Sequence, residues 1–589
     1  MQGDDDDFSP DEAPGDDATP DEAAERLLEA CAAEPETDIG NGRRFRLRFG
    51  DLAADYAGAA SHIAICVAHI GWHVFDGKRW KEDEDGSLIR RLAHKTAEAI
   101  RKETAYLGAS EAEQAVLSAG EVAAEALARM KAPRKGWPAV EGVASKRDYE
   151  QAVAAAEQVA QLLMARHGSR KRHAKSTAGS SKLNNLLAEG QPYMACKVQD
   201  LNTDPYIVNC LNGTVCFLQE EDEESDPDDP RFVWRAEIRE HRQGDFITKM
   251  VEAEWQPEGA PPMPEFKKFL SRVQPDPEIR AFLKRFCGYL LTGLTIEQVM
   301  LFFYGAGRNG KSTFVDLLCN IMGDYAVTLS IDSFSGENKR GGGEATPDLA
   351  RLPGARLVAA SEPEANVKLK DALIKTLTGG EKIPVRRLHK DFFEVLPNFK
   401  IVLSGNHKPR IDDDSDGIWR RVLLVPWTVQ IPANEVDRAL SRKLKAEADG
   451  IFAWMVEGAI EYLNGGLAVP AAVHAASEEY RQESDPIGAF IRLACLVTGE
   501  SADEEKPFDI YLAYDKFATE EGVFKFNNAT FAKRFASAAG RSWPGPDGTV
   551  KMFAKAKSGT TVYRGIKVKP EWVPTGGDRS RHGGENDER

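Results

Sequence analysis

Four short apolar runs between residues 299 and 427 interrupt a chain that otherwise reads mostly as amphipathic helix. The first, Val299-Met-Leu-Phe-Phe-Tyr304, has no polar position and predicts a buried strand. After a glycine-rich break, Phe314, Leu317, Leu318 and Ile321 recur at helical spacing, and Gly323 closes the stretch. The later runs are Arg356-Leu-Val-Ala-Ala360-Ser361-Glu362, Phe399-Lys-Ile-Val-Leu403 and Val422-Leu-Leu-Val425-Pro426-Trp427, each predicted as a strand. Between the second and third, Ile383–Leu388 and Phe392–Leu396 flank a short polar turn and predict a hairpin.

The flanking pattern divides the chain further. Residues 1–40 read as a disordered acidic tail, with a short helix expected at 23–33. Residues 41–192 read as mostly helical, with helices at 87–104, 110–131 and 146–166. A hairpin is expected where Trp72–Phe75 and Lys78–Trp80 flank Asp76-Gly77, its two tryptophans packing on one another. Residues 193–264 form a small β-rich region and linker, and 265–432 a strand-and-helix domain with a helical lead-in. A helical extension spans 433–484, and 573–589 read as a second disordered tail. Residues 485–572 suggest three helices and a β-ribbon, a winged-helix-like domain. Thr530–Phe535 would be its recognition helix, offering Lys533 and Arg534 to DNA. A wing used for packing or protein contact is the alternative.

Composition changes little in this picture, and charge changes one point. The length of 589 residues calls for several domains. The formal net charge of −17 argues at first against a nucleic-acid partner. Residues 1–40, however, hold fifteen acids and one Arg, so −14 of it sits there and the body is near neutral. The eight cysteines are scattered without a C-x-x-C pair, which argues against a disulfide framework or zinc site. No apolar run approaches a membrane span, and a cytoplasmic protein is expected. The cluster Arg166, Arg170, Lys171, Arg172, His173, Lys175 reads either as a phosphate-touching patch or as a solvated helix end.

The chemistry concentrates at the strand ends. Gly305-Ala306-Gly307-Arg308-Asn309-Gly310-Lys311-Ser312-Thr313 fits G-x-x-x-x-G-K-[ST], between a strand and a helix as that pattern requires. Such a loop turns backbone N–H groups and a helix N-terminus toward phosphates. Lys311 is expected to reach the β- and γ-phosphates of ATP, and Ser312 to hold Mg²⁺. Glu362 follows the second strand, where a nucleotidase places the carboxylate that holds the metal shell or polarises water, and Glu364 is a possible helper. Ser361 stands where many such enzymes have Asp. Asn406, after the third strand, fits a γ-phosphate sensor or an ordinary turn residue. His389 and Lys390 sit at the hairpin tip, where they suit a nucleic-acid grip or a plain wet surface. Arg420 and Arg421 are arginine-finger candidates. Pairing with Asp412–Asp416 is the alternative, and one arginine is expected to do each.

The ordered set resembles the superfamily 3 helicases, of the phage and plasmid primase-helicase type related to poxvirus primase-helicases. The carrying residues are GAGRNGKST (305–313), LVAASE (357–362), KTLTGGEKIPVRRL (375–388), KIVLSGNHKPR (400–410) and DGIWRRVLLVPW (416–427). Flanking matches include Gly288–Gly293 and Gly450–Trp454. The resemblance implies a multidomain α/β protein with an AAA+-like P-loop ATPase core. It implies a homohexameric ring with ATP between subunits, an arginine finger from the neighbour, and a pore-facing hairpin carrying His389 and Lys390. Single-stranded and forked DNA, and a separate primase, are the implied partners, in the cytoplasm of a bacterial host for a phage or plasmid chain. Two departures are visible: Glu381 where the family usually has Asp, and an N-terminal region without a primase's clustered acids or zinc ribbon. The function expected is an ATP-dependent DNA helicase in phage, prophage or plasmid replication. The alternative is an ATP-dependent initiator or loader that does not itself unwind, and a small-molecule P-loop kinase leaves the hairpin and basic C-terminal residues unused.

Overall fold

The computed structural model describes residues 19–57, 62–131, 145–222, 225–226, 229–335, 348–361, 367–387, 391–412 and 416–573. It falls into two compact units. One contains the chain to Asp204 with Arg239–Met250 and Lys390–Phe392, and the other contains Pro205–Ile238, Val251–His389 and Phe393 onward.

The first unit contains helices α1 (Pro20–Ala33), α2 (Asp38–Phe49) and α3 (Ala53–Ala57). Strands β1 (Ala64–Val67), β2 (Gly71–Phe75) and β3 (Trp80–Glu82) follow. Next come α4 (Ser87–Ile100), α5 (Glu111–Lys131), α6 (Lys146–Thr177), α7 (Ser180–Gly190) and β4 (Ala195–Cys196). The order β3-β2-β1-β4 makes one sheet. Two expectations change here. Within residues 1–40, α1 and the start of α2 are ordered, so the tail assignment is too long. A capping box fixes the start of α1, with Glu22 N–H donating to the Thr19 hydroxyl and Thr19 N–H to the Glu22 carboxylate at 2.8 Å. Cys31 and Ala32 then bury at its end. The β2–β3 hairpin forms, but its tryptophans part. Phe75 pairs with Trp80, and Trp72, three residues from Phe75, points to the other face. Trp80 stacks on Phe246 and Trp72 meets Phe45 edge-on, each at 5.9 Å.

The basic cluster also resolves. Helix α6 runs past residue 166 to Thr177, which carries Arg170 inward to Glu103 and to Glu36 at 3.1 Å. Arg44 meets the same Glu103 at 3.1 Å, both fully buried. His173 Nε2 lies 2.9 Å from Asn41 Oδ1. Arg170 and His173 therefore serve an internal network, in which burial pushes the Glu103 carboxyl up and the Arg44 guanidinium down.

The second unit begins with β5 (Ile207–Cys210), β6 (Gly213–Glu221) and β7 (Phe232–Arg239), a small sheet in that order. Helices α8 (Pro264–Val273) and α9 (Pro277–Leu290) lead into β8 (Met300–Tyr304), α10 (Lys311–Met322), β9 (Ala326–Thr328) and β10 (Leu357–Ser361). Next come α11 (Asp371–Thr378), the hairpin β11 (Ile383–Arg386) and β12 (Phe392–Val395), β13 (Lys400–Gly405), α12 (Asp416–Trp419) and β14 (Val422–Pro426). The four apolar runs and β9 form one parallel sheet, ordered β14-β8-β13-β10-β9. Nearly every residue of β8, β10, β13 and β14 is buried, as a parallel sheet covered on both faces requires.

Helices α13 (Leu440–Lys445), α14 (Ala448–Gly465) and α15 (Ala471–Glu483) follow the sheet. The C-terminal region then has α16 (Pro486–Ala494), β15 (Cys495–Val497), β16 (Glu504–Glu505), α17 (Pro507–Glu520) and α18 (Asn528–Ala538). Short strands close it: β17 (Trp543–Pro544), β18 (Val550–Lys551), β19 (Ala554–Ser558), β20 (Thr560–Arg564) and β21 (Ile566–Val568). Phe490, Tyr514, Phe517, Phe531 and Phe535 fill its core. Within the expected β-ribbon, Phe553 turns inward between β18 and β19. β18 pairs with β17, and β19 with β20. All eight cysteines are free thiols, with Cys196 and Cys319 half-buried and the rest buried. Among the described residues, no helix is long and apolar enough to cross a membrane.

Two buried cations tie the lower edge of the sheet to the end of α9. Lys400 Nζ donates to Thr292 O at 2.6 Å and lies 4.3 Å from the Tyr289 ring centroid. Arg356 donates to Leu291 O, and to Ile207 O at 2.6 Å. Cations at a helix C-terminus meet its negative dipole end, which explains a lysine opening an apolar strand. Burial still drives the Lys400 ammonium well below its ordinary pKa.

Helices α9 and α14 touch backbone to backbone. A Cβ on Gly288 would lie 1.9 Å from Ala459 N, and one on Gly458 would lie 2.1 Å from Lys284 O. Helix propensity alone would make Gly→Ala stabilising by about 1 kcal/mol. The contact predicts the opposite sign: Gly288→Ala and Gly458→Ala each destabilise by about 1–3 kcal/mol. Thermal or urea unfolding checks it, and an unchanged or raised midpoint would count against this packing.

Candidate active site

The strand order reverses around β8, whose neighbours β13 and β14 follow it in sequence. Crevices at the C-terminal ends of such strands are where open parallel sheets bind ligands. The loop 305–310 leaves that end of β8 and opens α10. Gly310 sits at φ +84°, in the left-handed region, and caps the helix without a side-chain bond. The first-turn N–H groups are thus left facing the loop. Gly305 is fixed by close approach, since a Cβ there would lie 2.0 Å from Trp427 O.

Lys311 occupies the centre of this loop. It is 4% exposed. Its Nζ donates to Gly305 O at 2.6 Å, Asn309 Oδ1 at 3.0 Å and Asn406 Oδ1 at 3.1 Å. All three are neutral acceptors, and no carboxylate pairs with it among the described residues. Burial lowers its pKa for that reason. The arrangement is a desolvated cation beside a helix N-terminus, the combination that favours anions. Asn309 is itself held, its Nδ2 donating to Trp427 O at 3.0 Å. Ile431 N–H donates to Arg308 O at 2.8 Å. Ala306, Gly307 and Arg308 form the open lip of the loop, and Ser312 is exposed on the first turn with Thr313 half-buried behind it.

The structure brings Asn406 to this centre. Gly405 pairs with Tyr304, so the tips of β13 and β8 lie side by side, and the exposed Asn406 reaches Lys311. Ser361 pairs with Ser404 at the same edge. Glu362 comes directly after Ser361 but lies, with Glu364, outside the described residues. So do His389 and Lys390, although both arms of their hairpin are present. Among the described residues no group of three His, Cys, Asp or Glu side chains is placed to hold a metal ion, so a magnesium would rest on the exposed Ser312 hydroxyl and on groups outside those residues.

Arg420 and Arg421 lie at the opposite edge. Met300 N–H donates to Arg421 O at 2.7 Å, and Val422 pairs with Met300, so both arginines sit where β8 begins, not where it ends. The strand between separates them from the loop by roughly 16 Å at about 3.3 Å per residue. Their environments differ. Arg421 is 8% exposed and donates to Gly417 O and to Gln298 Oε1 at 3.2 Å. Arg420 is exposed and has no ion pair among the described residues. Neither arginine pairs with Asp412 or Asp416, and Asp413 and Asp414 lie outside the described residues. Asp412 pairs with Lys368 and Arg410 at 2.7 and 2.8 Å, and Asp416 with Arg481 at 2.6 Å.

On α18, Lys533 is exposed, but Arg534 turns inward. It lies 4.3 Å from the Phe526 ring centroid and donates to Asp412 O at 2.5 Å. A recognition-helix role for Arg534 is therefore corrected to an internal contact. Asn309 and the Trp427 carbonyl were not singled out from sequence as supports of Lys311. The available signals were an amide inside the loop motif and an aromatic closing the fourth apolar run.

Comparison with known proteins extends this picture. The family described as D5 N terminal like matches residues 50–275, and a family of unknown function (DUF5906) matches residues 303–421. "Putative helicase L207/L206" of Acanthamoeba polyphaga mimivirus is 30% identical over 240 residues, covering 38% of this chain and 25% of that protein. "Putative helicase 022R" of Frog virus 3 is 32% identical over 170 residues, covering 28% and 17%. The chain is thus similar to phage and viral proteins of the primase-helicase kind. The second family match runs from β8 to Arg421 and so contains the whole site. The first covers most of the region that sequence left without a role. The chain spans about a quarter or less of the length of these two relatives. The apo C-terminal region of NrS-1 aligns over 57% of this chain and 94% of that one, at 12% identity and a TM-score of 0.29, a likeness too slight to bear on fold or function.

The contrast between the two arginines is directly testable. Arg421→Ala strips donors from two half-buried acceptors and is expected to lower stability by about 1–3 kcal/mol. Arg420→Ala is expected to stay within about 0.5 kcal/mol of the parent. Equal losses in chemical denaturation would contradict the assignment.

Proposed function

We propose that the chain is an ATP-dependent DNA helicase, a superfamily 3 motor with an AAA+-like core that works as a homohexameric ring. The observation that carries this reading is Lys311, buried without a carboxylate partner among the described residues and bonded to Asn406 across two adjacent strand tips. The names of the viral relatives support it.

Triphosphate oxygens would replace the neutral acceptors around Lys311 Nζ, restoring a charge partner to a desolvated ammonium. Backbone N–H groups of residues 306–312 would cradle the β-phosphate. Mg²⁺, held by Ser312 and Glu362, would offset the charge of the β- and γ-phosphate oxygens. Glu362 would take the proton of a water whose oxygen attacks the γ-phosphorus, while the bond to the β–γ bridging oxygen breaks. Asn406 would present its amide to the γ-phosphate and the entering water. Arg420 cannot reach the nucleotide of its own chain from the far edge of the sheet. A heterologous, head-to-tail interface delivers it to the neighbour's site, and such an interface closes into a ring. His389 and Lys390 on the hairpin tip, with Lys533 on α18, would meet single-stranded and forked DNA through phosphate contacts. A separate primase would supply primers.

In the test, wild-type protein hydrolyses ATP with stimulation by single-stranded DNA and releases the labelled strand of a forked duplex. Lys311→Ala abolishes both. Asn406→Ala lowers kcat by roughly a hundredfold while a non-hydrolysable ATP analogue still binds. Hydrolysis without strand release would replace the helicase with a loader or initiator. Undiminished hydrolysis by Lys311→Ala would overturn the site itself.

A further inference from the structure

The segment from His407 to Asp416 joins two groups of the proposed site, Asn406 at the tip of β13 and Arg420 just before β14. Elements that follow the sheet hold its described residues, 407–412 and 416. Lys408 pairs with Glu483 of α15 at 2.5 Å, and its Nζ lies 4.9 Å from the Tyr304 ring centroid. The Tyr480 hydroxyl donates to Pro409 O. The Arg410 guanidinium lies 4.2 Å from the centroid of Phe524, in the turn between α17 and α18. Arg534 of α18 donates to Asp412 O while stacked on Phe526. Arg481 of α15 closes the series on Asp416.

Ordinary packing does not require this arrangement. A surface connection of this length normally satisfies its backbone with water. Here two guanidiniums from opposite sides are each sandwiched with a phenyl ring. One belongs to the segment and reaches the C-terminal region, and the other belongs to that region and reaches the segment. Phe524 is 46% exposed, so its ring is held out from the core toward Arg410. Lys533, one position before Arg534 and exposed, makes no bond to the segment among the described residues.

We infer that Arg534 and Arg410 are positioning residues, through which the C-terminal region sets where Arg420 stands relative to Asn406. This rests on the proposed ATPase reading and extends it. The C-terminal region is then part of the hydrolysis machinery, not only an attached DNA-binding element. Movement of α18 would shift the segment, and with it the finger offered to the neighbouring subunit. A misplaced charge at that point slows the chemical step without weakening nucleotide binding.

The test uses the full chain with Arg534→Ala, Phe524→Ala and, as a control, Glu520→Ala at the exposed end of α17. In the first two, kcat for DNA-stimulated ATP hydrolysis is expected to fall roughly ten- to a hundredfold. Their affinities for a non-hydrolysable ATP analogue and for a single-stranded oligonucleotide should stay unchanged, and Glu520→Ala should keep its kcat. Amide hydrogen exchange over 407–416 should quicken in the first two variants alone. Phe524 is exposed, so its replacement reports on the contact even where loss of Arg534 disturbs folding. Weakened oligonucleotide binding with full kcat at saturating DNA would make Arg534 a DNA contact and overturn the inference. Unchanged exchange over 407–416 would do the same. Quickened exchange in a wild-type background that hydrolyses no ATP would sustain the clamp and remove the function it is proposed to serve.

Discussion

A lysine ammonium taken out of water needs a counter-charge, and among the described residues Lys311 bonds to neutral oxygens alone. Desolvation of a lone charge is among the costliest things a fold does. The surrounding structure makes it tolerable. Gly305 lets the Trp427 carbonyl approach, that carbonyl fixes Asn309, and Asn309 together with Asn406 accepts the ammonium protons. The parallel sheet places the two strand tips carrying these groups side by side. Trp427 in turn packs on Phe303 and Phe314 at 5.4 and 5.6 Å, so the core beneath the loop and the loop itself are one packed assembly.

The same sheet separates what it organises. Parallel strands put every C-terminal end on one edge and every N-terminal end on the other. Lys311, Asn406 and Ser361 share the first edge, and Arg420 and Arg421 share the second. One arginine is consumed by the fold, since Arg421 satisfies Gly417 O and Gln298. The other is presented outward. That separation supports the proposed head-to-tail ring.

Much of this was legible in the sequence because it rests on local pattern. The four apolar runs became four strands of one sheet, and the glycine-lysine loop fell where a strand changes to a helix. Asn406 was identified by its place after a strand. What escaped depended on long-range geometry. Charge content made residues 1–40 look like a tail, yet a capping box and the burial of Cys31 order the second half. Trp72 and Trp80 looked like partners, and strand parity sends them to different faces. Arg170 and Arg534 looked like surface cations, and each bonds groups more than a hundred residues away in sequence, such as Glu36 and the Asp412 carbonyl. The choice between Arg420 and Arg421 turned on burial, which adjacent identical residues cannot reveal.

The central claim is that one chain binds the nucleotide and its neighbour completes the site. Mixing two inactive proteins tests it most directly. Lys311→Ala lacks the cradle and Arg420→Ala lacks the finger, so each alone should hydrolyse no ATP. In an equimolar mixture, random assembly places an intact Lys311 opposite an intact Arg420 in about a quarter of interfaces. The account predicts that DNA-stimulated hydrolysis returns in the mixture toward that fraction of the wild-type rate. A mixture as inactive as its components, or an Arg420→Ala protein that is active alone, would contradict it.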